Sequence, residues 1–332
     1  MSKPSILVIG AGILGLWQAY TQARAGYSVR LIEESSEPFA RAASRWAGAM
    51  IAPECEAEGA PTSVRDLGRD GLRIWREAYP GIICNGTLVV ALARDAADLA
   101  RFARLTEWHE TVGAARLGEL EPMLGGRFER GLYFSSEAHL DAREALEWLL
   151  GEVRLLGAEI VFNSLGEEAP ADITIDCRGI GARKDLPSLR GVRGERVLIH
   201  TLDVSLSRPV RLLHPRQPIY VVPQGDGRFV VGASVIERED DGPMTLKSAL
   251  DLLGSAYALH PSFGEASILD MGAGIRPAFP DNVPRILIEK DGRVIRVNGA
   301  YRHGFLLAPV LAKTVADYLS DGRREGPLFS SP

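Results

Sequence analysis

Gly10, Gly12 and Gly15 stand where a chain that binds a diphosphate needs glycine. Gly10 would make a tight turn, Gly12 would let backbone approach a pyrophosphate, and Gly15 would let a helix pack closely on a strand. The flanking residues suit that reading. Ser5-Ile6-Leu7-Val8-Ile9 is a short apolar run that predicts a buried parallel strand, and a helical stretch over 16–26 follows the glycines. Unpaired N–H groups and the dipole at that helix start favour an anion. A second strand over 28–32 ends on Glu33, where a carboxylate can take ribose hydroxyls and disfavours a 2′-phosphate. The chemistry implied is dinucleotide binding, and the motif alone does not separate NAD from FAD.

The remaining reactive side chains are sparse. No obvious His/Asp/Glu constellation suggests a strong base. The 3 cysteines, Cys55, Cys84 and Cys177, have neither metal spacing nor a CxxC motif. They read as packing residues in a reducing compartment, most simply the cytoplasm. His139 and His214 read as surface or packing histidines. Glu54, Cys55 and Glu56 read as structural, and the acidic run 237–241 as a solvated loop near a site entrance.

Positioning these groups takes two domains, and 332 residues with 46% apolar content can supply both cores. A net charge of −5 gives no footprint for nucleic acid. No apolar run is long enough for a membrane span, and immediate entry into a strand predicts no signal peptide. Residues 1–50 and 140–181 alternate strand and helix, with strands at 158–162 and 172–177 and a helix over 143–156. Helices are predicted over 63–79 and 96–112, with strands at 87–92 and 131–134 and a Leu-Glu-Pro turn within 117–124. From Arg196 the pattern turns β-rich, with strands at 197–201, 218–223 and 229–234. A helix over 245–259, the segment 272–277, a strand at 294–298 and a helix over 306–319 close the chain. The fold class expected is α/β: a Rossmann-type dinucleotide domain from 1–60, 135–192 and 265–332, and a β-rich (α+β) substrate domain from 61–134 and 193–264. The substrate crevice would lie between them.

Blocks along nearly the whole chain resemble the D-amino-acid oxidase superfamily of FAD-dependent oxidoreductases, and within it the glycine oxidases of thiamine biosynthesis. They are Gly10 to Gly15 with Glu33; Ala43-Ser44-Arg45-Trp46-Ala47-Gly48-Ala49-Met50 and onward to Glu56; Val192-Arg193-Gly194-Glu195; Tyr220-Val221-Val222-Pro223 with Gly232-Ala233-Ser234; and Gly274-Ile275-Arg276-Pro277 with 298–309. The resemblance implies a flavin lying extended between the domains. Gly10, Gly12, Ile13, Leu14, Gly15, Glu33 and Glu34 would serve its AMP end. Ala43, Ser44, Gly48, Ala49 and Met50 would run beside the pyrophosphate and isoalloxazine. Leu165 would meet the adenine and Gly179 the cofactor's flank. Arg302, His303, Gly304, Phe305 and Leu306 would face the pyrimidine edge.

The same resemblance makes Arg276 the carboxylate clamp, a role its planar fork suits. Tyr220 would add a hydroxyl, Arg302 would stand near the substrate, and Met50 would form an apolar wall. Tyr220, Arg276 and Arg302 are thus the expected catalytic residues, with Met50 as a further substrate contact. Pro218 and Val235 depart from the family's usual pocket residues, so side-chain size is open. No cysteine follows Cys177, so FAD is expected to be held non-covalently, and no metal is expected.

The reaction implied is oxidative deamination of glycine or a related small amino acid or amine. Hydride would pass from Cα to flavin N5, the imine would hydrolyse, and O2 would reoxidise the flavin to give H2O2. Other readings are a D-amino-acid or N-substituted-glycine (sarcosine-like) oxidase, a flavin dehydrogenase acting on a 2-hydroxy acid, and a non-catalytic or NAD-binding module. The expected partners are the small substrate and O2; the resemblance allows a homo-oligomer and names no interface.

Overall fold

The structure is a computed structural model that describes residues 3–165, 170–215 and 217–330. A seven-stranded sheet carries the dinucleotide turn. Across it lie Phe329–Ser330, Arg285–Glu289, Val294–Asn298, Ile173–Asp176, Ser5–Ile9, Ser28–Glu33 and Glu159–Phe162. The strand Ser5–Ile9 pairs in parallel with Ser28–Glu33 on one side and Ile173–Asp176 on the other. Ile6, Leu7 and Val8 are all buried, which is why this strand reads as a continuous apolar run.

Helices cover this sheet. Ile13–Arg24 packs against both Ala142–Leu155 and Gly304–Asp321. Asp141 starts the second of these by accepting the Arg143 and Glu144 backbone N–H groups, as an N-cap carboxylate should. Gly322, at φ 73°, ends the third. The helix Thr62–Ala78 also packs on Gly304–Asp321. Trp75 donates its indole N–H to the Phe305 carbonyl at 2.6 Å and meets Trp17 edge-on at 4.8 Å.

An eight-stranded sheet forms the second, β-rich domain. Its order is Ser267–Ala278, Arg190–His200, Arg228–Gly232, Ile219–Pro223, Val210–Leu213, Thr87–Ala91, Arg130–Phe134 and Glu110–Gly113. Both faces are covered. Leu88, Val90, Val197, Val221 and Val231 share one core, while Val89, Ala91, Leu132 and Phe134 share another with Phe102.

Several elements differ from the sequence expectation. The helix expected over 96–112 ends at Leu105, where Thr106 turns extended and its hydroxyl donates to the Phe102 carbonyl at 2.9 Å. Val112 then belongs to the edge strand Glu110–Gly113. The strand expected at 197–201 is the end of Arg190–His200. Its earlier half hides behind charge, because the buried Arg193 and Glu195 satisfy each other at 2.8 Å. Val210–Leu213 and Arg285–Glu289 are strands that pattern reading did not find. Ser267–Ala278, expected to serve the dinucleotide domain, pairs along its length with Arg190–His200 in the other sheet. Residues 265–332 therefore supply strands to both sheets.

The packing of Thr62–Ala78 on Gly304–Asp321 depends on Gly71. A Cβ there would sit 1.9 Å from the Leu306 carbonyl oxygen. Gly71→Ala is expected to lower stability by about 1–3 kcal/mol through overpacking. Gly151→Ala, in open space within Ala142–Leu155, should raise it by roughly 0.5–1 kcal/mol. Thermal and urea unfolding of the two holoenzyme variants checks both signs.

Candidate active site

A cleft of about 910 Å³ is lined by residues of both sheets. At its dinucleotide end, Gly10 sits at φ +96°, and a Cβ there would lie 2.8 Å from the Cys177 carbonyl oxygen. A Cβ on Gly15 would lie 1.8 Å from the Gly10 carbonyl oxygen, so the helix reaches the turn only without one. Gly12 precedes the helix Ile13–Arg24 without a side-chain cap, and Ile13 N–H reaches the Ser44 hydroxyl at 3.3 Å. Glu33 accepts Ala11 N–H at 2.7 Å and Ser35 N–H at 3.1 Å, which fixes its carboxylate beside the glycine turn.

Residues 42–50 then run along the cleft. Ala43–Trp46 is a single 3-10 turn laid on the strand Ser267–Ala278. Glycine permits this: a Cβ on Gly272 would lie 2.3 Å from the Trp46 ring, and one on Gly274 would lie 3.0 Å from it. The Arg196 guanidinium covers the same ring at 4.9 Å. Open helix N–H groups, an oriented acid at a strand end and a flat bed of small residues together fit an extended dinucleotide carrying a planar ring system.

At the far end, the Tyr220 ring lies against two glycines. A Cβ would come within 2.4 Å of it from Gly48 and 2.7 Å from Gly232. Burial raises its pKa, so the hydroxyl stays neutral and can donate. The Arg276 guanidinium lies over Gly194, where a Cβ would sit 2.0 Å from Cζ. Its Nη1 donates to the Ser234 carbonyl at 3.1 Å. Among the described residues, Arg276 has no carboxylate within ion-pair distance. Desolvation lowers its pKa, but a guanidinium starts too high to lose its proton.

Arg302 is anchored instead. Its Nε donates to Glu56 Oε2 at 2.9 Å, and His303 Nδ1 lies 3.1 Å from the same oxygen. Burial alone would raise the Glu56 pKa. Arg302 first, then His303, override that and hold it well below the usual carboxylate range. Arg211 also faces the cleft, with Nη1 3.3 Å from the Cys55 carbonyl.

The structure brings most of the sequence-predicted residues onto this one surface. Gly10, Gly12, Ile13, Leu14, Glu33, Glu34, Ala43, Ser44, Gly48, Ala49, Met50, Leu165, Gly179, Gly304 and Phe305 line the cleft with Tyr220, Arg276 and Arg302. Gly15, His303 and Leu306 stand behind its wall. Gly15 sets the helix–strand distance, His303 backs Glu56, and Leu306 packs on Gly68. Glu54 is buried and bound by Nε and Nη2 of Arg69, a structural role. Glu56, expected to be structural as well, lines the cleft and holds Arg302. Sequence reasoning also passed over Arg211, Trp46, Gln217 and Tyr301. Trp46 and Tyr301 stand inside blocks that carry the resemblance, but Trp46 acquires its place from Gly272, Gly274 and Arg196, and Arg211 from Cys55 and Phe102, all far away in the chain.

These features define a redox fold built around a dinucleotide. The family described as DAO, FAD dependent oxidoreductase, matches residues 5–318. The chain is 49% identical to "Putative thiamine biosynthesis oxidoreductase ThiO" of Rhizobium etli, over 94% of this chain and 95% of that one. It is 26% identical to a glycine oxidase of Bacillus licheniformis, over 94% of this chain and 92% of that one. The solved glycine oxidase of Bacillus cereus shares the fold at a TM-score of 0.83 with 20% identity, covering 97% of this chain and 96% of that one. The chain belongs to the DAO family of FAD-dependent oxidoreductases. Among the described residues, no helix is long and apolar enough to cross a membrane.

Behind Met50 lies a buried acid. Met50–Ile51 pairs with Ala138–His139, and the adjoining Glu137 accepts Cys55 N–H at 2.7 Å. Burial pushes the Glu137 carboxyl up to about 7 from a usual 4.5, and pushes His139 down to about 4. Between its two values Glu137 is protonated in the folded state and not in the unfolded one, so its own contribution to stability falls as pH rises, while His139, kept neutral by burial, contributes in the opposite sense between about 4 and 6.5. The Glu137 part approaches about 1.36 kcal/mol per pH unit, about 3 kcal/mol in all, and His139 offsets it below about pH 6.5. The wild-type holoenzyme should therefore lose melting temperature mainly from about pH 6.5 to about pH 7.5, and Glu137→Gln should remove that loss, which scanning calorimetry at the two pH values measures.

Proposed function

We propose that this enzyme oxidatively deaminates glycine or a closely related small amino acid, with O2 as the electron acceptor. The observation that carries this reading is Arg276, a half-buried guanidinium without an ion-pair partner among the described residues, facing the cleft beside a neutral Tyr220 hydroxyl. Its planar fork suits a carboxylate held by two parallel hydrogen bonds.

Bound FAD supplies a hydride acceptor at its N5 atom. The chain's own groups do the positioning. Arg276 and Tyr220 hold the substrate carboxylate and fix the direction of the Cα–H bond. Met50 and Val235 offer apolar walls that limit the side chain. Glu56 keeps Arg302 at the cleft edge, and Glu33 with the N–H groups of Gly12 and Leu14 would hold the dinucleotide. Glu56 is already ionised and occupied, so it is a poor base. An amine that binds neutral needs none, and solvent entering the cleft would hydrolyse the imine product. The thiamine biosynthesis role in the name of the 49% identical relative favours the same role here.

Two measurements test this. Anaerobic mixing of the holoenzyme with glycine, N-methylglycine or D-alanine should bleach the flavin absorbance, and aerobic turnover should consume O2 and release H2O2 in equal amounts. Bleaching without O2 consumption would point to a dehydrogenase, and no bleaching by any of them would end the amino-acid reading. Arg276→Ala should retain FAD yet lose about 2–5 kcal/mol of carboxylate binding. Loss of FAD with substrate affinity intact would overturn the assignment.

A further inference from the structure

The inner cleft holds a third arginine, Arg211, that the reaction above does not use. Arg211 and Tyr220 are direct partners in the antiparallel pair of Val210–Leu213 and Ile219–Pro223. Side chains so paired share one face of the sheet, with Cβ atoms about 4.5–5.5 Å apart. Both line the cleft. On the other side of Tyr220, the partner is Gly232. The Tyr220 ring leans over that glycine, away from Arg211. The guanidinium of Arg211 rests on the Phe102 ring at 5.2 Å, and Met50 packs against the same cluster.

The charges around Arg211 do not cancel it. Its Nη1 makes a long hydrogen bond, 3.3 Å, to the Cys55 carbonyl. Among the described residues no carboxylate stands within ion-pair distance of it. Glu56 is near but is already bound by Arg302 and backed by His303. Glu137, buried behind Cys55, retains its proton up to about pH 7 because of its burial. Asp241 stands exposed on the rim. Arg276, Arg302 and Arg211 therefore face Glu56 across the inner cleft, an excess of positive charge that one substrate carboxylate does not remove.

We propose that Arg211 is a second anion-binding residue of the substrate pocket, and that the preferred substrate is a small amino acid bearing a second carboxylate. This rests on the reading that Arg276 takes the first carboxylate. A glycine with an acidic arm on its nitrogen meets the requirement. Its α-carboxylate would lie on Arg276 and Tyr220, and its distal carboxylate on the Arg211 fork.

The test compares N-(carboxymethyl)glycine with N-ethylglycine, which replaces the distal carboxylate by a methyl group. Each is titrated anaerobically into the holoenzyme, and Kd is read from perturbation of the flavin spectrum. In the wild type, N-(carboxymethyl)glycine should bind at least about tenfold tighter. Arg211→Met should bring the two Kd values to within about a factor of two, and Arg211→Lys should fall between. Flavin content reports whether each variant is folded, and the wild-type comparison stands without any variant. Equal affinities in the wild type, or an unchanged ratio in a flavin-loaded Arg211→Met, would overturn the proposal. Bleaching tests the oxidation separately: tight binding of N-(carboxymethyl)glycine that leaves the flavin oxidised, in an enzyme that glycine does bleach, would overturn the substrate proposal and leave the deamination reading standing.

Discussion

A half-buried guanidinium without a counter-charge is costly, and Arg276 is held that way at the cleft wall. Much of the surrounding architecture is arranged to keep it there. Gly194 gives up its side chain so that the guanidinium can lie on the neighbouring strand, and the Ser234 carbonyl satisfies one N–H. Tyr220 stands close by with its ring pressed against Gly48 and Gly232. The remaining donors have no protein carboxylate to meet among the described residues. A ligand carboxylate is the group that would relieve the cost, and affinity for it follows from the fold's own imbalance.

The cleft joins that demand to the dinucleotide turn. Residues 42–50 are the physical bridge, lying on glycines of the strand Ser267–Ala278 at one side and meeting Tyr220 at Gly48. A cofactor on that bed touches both domains, so neither wall can shift without disturbing it. Glu56 extends the bridge. It follows the same segment in sequence and clamps Arg302, at the start of the helix Gly304–Asp321, back onto it. The N-termini of Ile13–Arg24 and Gly304–Asp321 both approach the cleft, and each offers unpaired N–H groups to negative charge.

How much of this was legible follows from the range of each signal. Gly10, Gly12, Gly15 and Glu33 act on residues close to them or on a ligand, and their spacing alone carried the meaning. Tyr220, Arg276 and Arg302 sit in motifs whose resemblance to a family placed them. Glu56 and Arg211 escaped because their roles are made by distance: Glu56 meets Arg302 late in the chain, and Arg211 acquires its face only from registry with Tyr220. Charge also hid secondary structure. Arg193 and Glu195 look like surface residues, yet they neutralise one another inside a strand, so the expected element began too late. The helix expected through 112 ran past Thr106, because only the extended backbone there reveals that the period has changed from helix to strand.

The most direct test of this account is a crystal structure of the FAD-loaded enzyme soaked with glycolate, which keeps the carboxylate of glycine and lacks its amine. The account predicts a carboxylate with both oxygens within about 3 Å of the Arg276 guanidinium and one near the Tyr220 hydroxyl. Glycolate bound elsewhere, with Arg276 still held by the Ser234 carbonyl alone, would contradict it.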